Sequence, residues 1–161
     1  MNDAILNRTW AHHLVAGLAA YGIRDVGLSA GSRSTPLVVA FSDHPDMRIR
    51  TFFDERAMGF FMLGQAKGSD MPSVILTTSG TAVANLFPAI IEASQSGVPL
   101  IVITADRPIE AIGTGANQTI QQVGIFGEYV RYEWDIPCPD DTVVDQWIIR
   151  SLDTCMVHLL G

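Results

Sequence analysis

Val74-Ile75-Leu76-Thr77-Thr78-Ser79-Gly80-Thr81-Ala82-Val83 joins a strand pattern to a helix pattern across one short turn. An apolar, β-branched run passes through a turn of small polar residues, and a helical pattern opens at Thr81. This predicts a strand over Val74–Thr78 and a helix over Thr81–Ser96, ended by Gly97-Val98-Pro99. The order recurs in both directions along the chain. Upstream, a strand over Asp25–Ser29 is cut off by Ala30-Gly31-Ser32-Arg33-Ser34, and Thr35 and Pro36 then open a helix that runs to about Ser42. A strand over Arg48–Phe53 precedes a helix from about Glu55 to Lys67. Downstream, a strand over Leu100–Ala105 feeds a long loop, then a short helix near Ile120–Val130 and a strand over Arg131–Ile136. A first helix over Ala4–Ala20 is capped by Asn2 or Asp3 and closed by Gly22. A last one over Val143–Leu160 is started by Asp140 or Asp141, with Ile148, Leu152, Cys155 and Leu159 for its inner face.

Strands that are nearly all apolar, separated by helices, require helices on both faces of a mostly parallel sheet. The expected fold is therefore α/β, open and doubly wound. Ligands bind such sheets beyond the carboxyl ends of the strands. The unusual polar loops all fall there: Gly31–Ser34, Asp54–Arg56, Ser79–Thr81 and Asp106–Gln118.

Composition narrows the partners. The chain has 161 residues, 48% hydrophobic and 17% charged, enough apolar matter for one ordinary domain and too little charge for disorder. A formal charge of -7 repels a phosphate backbone, so nucleic acid is not an expected partner. No apolar stretch is long enough to span a bilayer, and Asp3, Arg8, His12 and His13 interrupt what would be a secretory leader. A cytoplasmic location is expected, with Cys138 and Cys155 as small buried apolar groups rather than a disulfide or zinc pair. The four histidines show no metal-ligand spacing, and the Walker, Rossmann and hydrolase-elbow signatures are absent.

Each polar loop carries two readings. Gly31-Ser32-Arg33-Ser34 offers hydroxyls and a guanidinium ahead of a helix, suited to a carboxylate or phosphate, yet it also serves as a plain tight turn. Glu55 begins a helix, where the macrodipole alone favours an acid. Ser79-Gly80-Thr81 lets a group approach the backbone closely or simply caps a helix. Arg107, Asn117 and Gln118 add a second guanidinium and two amides. Their convergence on one sheet edge of an acidic chain points to a small anionic substrate together with a group that needs a carboxylate.

Gly31-Ser32-Arg33-Ser34-Thr35-Pro36-Leu37, Phe53-Asp54-Glu55-Arg56, Thr78 to Leu86, Thr104-Ala105-Asp106-Arg107-Pro108 and Gly115-Ala116-Asn117-Gln118 together carry a resemblance over nearly the whole chain. In order and spacing they resemble the N-terminal, pyrimidine-binding domain of the 2-succinyl-5-enolpyruvyl-6-hydroxy-3-cyclohexene-1-carboxylate synthase family, thiamine diphosphate enzymes of menaquinone biosynthesis. The resemblance implies a transferase reaction in which 2-oxoglutarate is decarboxylated on thiamine diphosphate and the resulting carbanion adds to isochorismate. It implies Glu55 as the carboxyl facing N1′ of the cofactor's pyrimidine, and Arg33 and Arg107 as holders of the isochorismate carboxylates. Ser32, Asn117 and Gln118 match positions lining that pocket, and Ser79 and Thr81 would border the cofactor ring by general analogy. Ala30 departs from a proline expected in many relatives, without removing a functional group.

The resemblance covers only the first of that family's three domains. Residues 1–161 are thus expected to be a piece lacking the central and diphosphate-binding domains, the latter being the one that holds Mg²⁺; no Gly-Asp-Gly segment occurs here. An inactive isolated piece and a homo-oligomer, most simply a dimer, are expected from the same comparison. The helix Thr81–Ser96, with Val83, Leu86, Phe87, Ile90 and Ile91, is a candidate for the partner surface, or else is buried in its own domain. Two other readings stay open: another thiamine diphosphate enzyme, of acetolactate synthase or 2-oxoacid decarboxylase type, and a non-catalytic small-anion binding module.

Overall fold

The computed structural model describes residues 3–139 and 146–160. Four parallel strands, β1 (Asp25–Ser29), β2 (Arg48–Thr51), β3 (Ser73–Thr77) and β4 (Leu100–Thr104), form one sheet in the order β2-β1-β3-β4. The chain moves outward from β1 to β2, then returns to the other side of β1 to lay down β3 and β4. The reversal creates a switch point between β1 and β3, with a crevice outside their carboxyl ends. Ser29 pairs with Thr77, and Thr77 with Thr104, so three strands end level at that crevice.

The helices are α1 (Asp3–Ala20), α2 (Thr35–Asp43), α3 (Glu55–Ser69), α4 (Thr81–Ala84), α5 (Phe87–Ser96) and α6 (Gln146–Leu160). Alternation along the strands sorts the core into two layers. Val26, Leu28, Val74 and Leu76 face α1, α2 and α6, where Trp10, Leu18, Phe41 and Ile148 are buried. Ile75 faces the opposite layer of Met58, Met62, Val83, Leu86 and Ile90, supplied by α3 and the α4–α5 segment. The doubly wound sheet is thus as expected.

Several expectations are corrected. The helix over Thr81–Ser96 is two helices broken at Asn85–Leu86, because Pro88 in the first turn of α5 has no N–H to carry one hydrogen-bond ladder through. The partner-surface candidate on it is corrected as well: Val83, Leu86 and Ile90 are buried in this domain's own core, and Phe87 and Ile91 are half-buried. Large apolar side chains are exposed elsewhere on the described surface, most fully Phe53, Ile109, Val157 and Leu160.

No helix spans Ile120–Val130; only a 3-10 turn at Gly127–Tyr129 forms, since Gly124 and Gly127 both take positive φ. No strand forms over Arg131–Ile136. That segment lies across α6, with Arg131 bonded to the Leu159 carbonyl, Tyr132 stacked on His158 and Trp134 against Trp147. β2 reads Arg-Ile-Arg-Thr and is mostly exposed, an edge strand defended by charge rather than an apolar one. Cys138 is exposed and Cys155 half-buried, the burial pushing the Cys155 thiol pKa up. The expected caps at Asn2, Asp140 and Asp141 and the start of the last helix lie outside the described residues.

One glycine sets how closely α3 seats on β1. A Cβ on Gly27 would come within 2.6 Å of Met62 Cγ and 2.9 Å of its sulfur. Gly27→Ala is expected to destabilise the fold by about 1–3 kcal/mol through overpacking, read as a lower urea midpoint at unchanged m. Pairing it with Met62→Ala should cost less than the sum of the two single changes.

Candidate active site

Two clusters stand at the carboxyl edge of the sheet. The first is built on Glu55. Asp54 is the N-cap of α3, its Oδ1 accepting from the Ala57 N–H at 2.7 Å, so the task the macrodipole would give an acid here is already performed by the preceding residue. Glu55 is free to turn into the crevice. Its Oε1 accepts from the Ser29 hydroxyl at 3.2 Å and its Oε2 from the Asn85 amide at 3.1 Å. The carboxylate is half-buried, and two bonds leave it acceptor capacity for a third group. Ser29 comes from the end of β1 and Asn85 from the break between α4 and α5, so the irregularity in that helix delivers a ligand-holding amide.

The second cluster is built on Arg33, which a 3-10 turn (Ser32–Ser34) presents. Gly31 makes that turn possible where it is. A Cβ there would fall 2.4 Å from Thr78 Cβ and Oγ1, so the β1 loop closes on the β3 loop only through a glycine. Ser34 ties the turn by bonding both the N–H and the carbonyl of Gly31. Arg33 Nη1 donates to Ser79 Oγ and to Gln118 Oε1, each at 3.1 Å, and Nη2 to the Asn117 carbonyl at 3.4 Å. Arg107 Nη2 donates to that same carbonyl at 3.0 Å.

Two guanidiniums therefore meet on one neutral oxygen. Among the described residues no carboxylate lies within salt-bridge distance of either. Arg107 Nε is buried without a hydrogen-bond partner. A converging positive pair with an unspent, buried donor in a chain of net charge -7 is a site shaped for an anion. Asp106, alongside, is spent on its neighbour's backbone N–H, and burial pushes its carboxyl pKa up.

The structure joins Arg33, Ser79, Arg107, Asn117 and Gln118 in one network, Asn117 acting through its carbonyl. Ser79 is buried, with its hydroxyl committed to Arg33 and to the Gln118 carbonyl at 2.9 Å. Thr81 is exposed at the start of α4, and Ser32 is exposed in the turn before α2. Sequence reasoning missed Ser29, Asn85 and Gln122. Asn85 carried a signal, a polar amide inside an apolar helical stretch; Ser29 and Gln122 carried none, because their partners are distant in sequence.

Comparison with known proteins identifies the family of the chain. Residues 8–125 match the model of the thiamine pyrophosphate enzyme, N-terminal TPP binding domain. The chain belongs to that family. Other relatives of this TPP binding domain carry the name 2-succinyl-5-enolpyruvyl-6-hydroxy-3-cyclohexene-1-carboxylate synthase. They include proteins of Vibrio campbellii, 47% identical over 97% of this chain, Aeromonas salmonicida, 48% over 96%, and Cronobacter sakazakii, 46% over 97%. The chain spans a little over a quarter of their length, 27%, 27% and 28% respectively.

The residues present fit the thiamine group this family binds. Glu55 is a held carboxylate with spare acceptor sites, and the hydroxyls of Thr77 and Thr78, at the end of β3, are buried without partners at the same edge. No three His, Cys, Asp or Glu side chains among the described residues are grouped as metal ligands. No described helix is long and apolar enough to cross a membrane.

Removing the Ser79 hydroxyl takes one acceptor from Arg33 and leaves the Gln118 carbonyl without its donor. Ser79→Ala should cost about 1–3 kcal/mol of stability. Amide hydrogen exchange should quicken over residues 115–122 while the protection of β1 and β3 holds.

Proposed function

We propose that this chain is the pyrimidine-binding domain of a 2-succinyl-5-enolpyruvyl-6-hydroxy-3-cyclohexene-1-carboxylate synthase, an enzyme that decarboxylates 2-oxoglutarate and transfers the remaining four-carbon unit to isochorismate. The carrying observation is the arginine pair, unbalanced by any described carboxylate and with a spare buried donor, on the same sheet edge as Glu55. The printed names of the relatives support the choice of reaction.

Thiamine diphosphate, held with Mg²⁺ by a separate diphosphate-binding domain, supplies the electron sink for decarboxylation and carbon transfer. With the cofactor bound, Glu55 would be the carboxyl that holds N1′ of the aminopyrimidine and exchanges a proton with it. Ser29 and Asn85 fix its two oxygens, so the carboxylate is oriented before the ring arrives. Thr81, exposed at the start of α4, is assigned to the rim of the ring's site, whereas Ser79, buried with its hydroxyl committed to Arg33 and the Gln118 carbonyl, serves the arginine instead of the ring. Arg33 and Arg107 bind the carboxylates of isochorismate, a dianion suited to two rigid guanidinium forks. Ser32, Asn117 and Gln118 line that pocket and orient the substrate's hydroxyl and carboxylate groups.

The domain works in a homo-oligomer, where a diphosphate-binding domain from another subunit completes the site. Exposed Phe53, two residues before the Glu55 helix, is an apolar group available for such a contact.

In the complete synthase, Glu55→Gln should keep the fold and lower turnover by about 100-fold or more, since the amide cannot share the same proton. Near-normal turnover would remove Glu55 from this role. Arg33→Ala and Arg107→Ala should each weaken isochorismate use by about 10- to 100-fold, the loss of one charge-assisted contact, and spare the decarboxylation of 2-oxoglutarate. An effect confined to 2-oxoglutarate would reverse the pocket assignment. The chain of 161 residues alone should show no turnover with these substrates.

A further inference from the structure

We propose that Gln122 is the positioning residue that sets the Arg33 guanidinium, by locking the Ser79–Gly80 turn to the end of β4. Gln122 is 6% exposed, in a loop whose neighbours are mostly open to solvent. A buried amide must spend both its ends. Its Oε1 accepts from the Gly80 N–H at 2.8 Å, and its Nε2 donates to the Ala105 carbonyl at 3.0 Å. Both partners are backbone groups, one able only to donate and the other only to accept, so the orientation of the amide is fixed.

What the clamp joins gives it its function. Gly80 stands at φ +79, where a Cβ would lie 3.0 Å from the Gln118 backbone, so the turn and the 118–122 loop are pressed together there. Ser79 precedes Gly80, and Gln118 lies four residues before Gln122, itself held at φ +59. These are the two residues whose oxygens receive Arg33 Nη1. Ser79 also closes onto the Gln118 carbonyl, which completes a ring from Gly80 through Gln122 and the loop back to Ser79. Gln122 is hydrogen-bonded to neither Glu55 nor Arg33, and acts on the anion side of the site through the backbone groups of Gly80 and Ala105.

A glutamine is required by this geometry. Methionine fills similar space and leaves two buried backbone groups unpaired. An ionised glutamate keeps the acceptor for Gly80 and turns a second oxygen toward the Ala105 carbonyl. Both should release the turn and let Arg33 wander, while the Glu55 cluster on α3 stays in place.

The inference rests on Arg33 as the binder of the anionic acceptor, so the test carries that reading as its own arm. Gln122→Met, Gln122→Glu and Arg33→Ala are made in the complete synthase, with kcat and KM measured for isochorismate and for 2-oxoglutarate. Hydrogen exchange is followed over residues 79–85 and 115–122. Both Gln122 variants should raise the KM for isochorismate by about tenfold, the usual scale for loss of an orienting partner. The KM for 2-oxoglutarate and the rate of its decarboxylation should stay within about threefold, and exchange should quicken in the two segments. If Arg33→Ala raises the isochorismate KM and neither Gln122 variant does, the positioning role is overturned and the functional reading stands. If Arg33→Ala leaves that KM unchanged, the functional reading falls, and exchange decides the clamp: unchanged protection overturns it, faster exchange upholds it. Equal losses toward both substrates would make Gln122 a general support of the fold and overturn its assignment to Arg33. Should Gln122→Met not fold, Gln122→Glu, equal in size and retaining the Gly80 bond, gives the same outcomes.

Discussion

The closeness of backbone to backbone at the end of β3 is the constraint on which the rest depends. β3 is buried on both faces and paired on both edges, so it cannot shift to accommodate its neighbours. The loops must adapt to it. Gly31 lets the β1 loop touch Thr78, and Gly80 lets the 118–122 loop touch the β3 turn. Side chains at these two points would push apart the segments that bring Arg33, Ser79 and Gln118 together. The small residues in this edge are therefore a condition of the polar network.

The two clusters differ in how they are held. Glu55 follows a local N-cap supplied by Asp54 and is held by two bonds spanning 26 and 30 positions, from the end of β1 and from the break between α4 and α5. The arginine cluster depends on long-range closure, with bonds spanning 84 and 85 positions from Arg33 and 39 from Ser79. Two donors, one on each oxygen, orient the carboxylate. Long-range closure lets the anion pocket respond to what enters it, because its two cations meet on one neutral carbonyl and gain most from a ligand that brings negative charge.

Apolar surface follows the same economy. The hydrophobic breadth of the 81–96 segment is absorbed by the second core layer, where Leu86 and Ile90 pack with Met58 and Met62. The apolar groups left bare are scattered, with Phe53 ahead of α3, Ile109 in the loop after β4, and Val157 and Leu160 at the end of α6 among the most exposed. Breadth of an apolar stripe on one helix does not say which side faces solvent; that depends on how many layers surround it.

Periodicity and turn chemistry determined the four parallel strands and most of the helices, because an apolar run between small-residue turns has few other ways to bury itself. The motifs around Arg33, Glu55, Arg107 and Gln118 were legible in the sequence because each is contiguous. Residues 120–136 fold otherwise than their pattern suggests. Their apolar and aromatic side chains scan as a helix and a strand, yet Gly124 and Gly127 break the helix and the outer face of α6 gives Tyr132 and Trp134 better contacts than a sheet edge. The tertiary structure alone decided the partners of Ser29, Asn85 and Gln122. Each makes hydrogen bonds to groups 17 to 42 residues away, and a bond of that span exists only once the strand ends have been brought level.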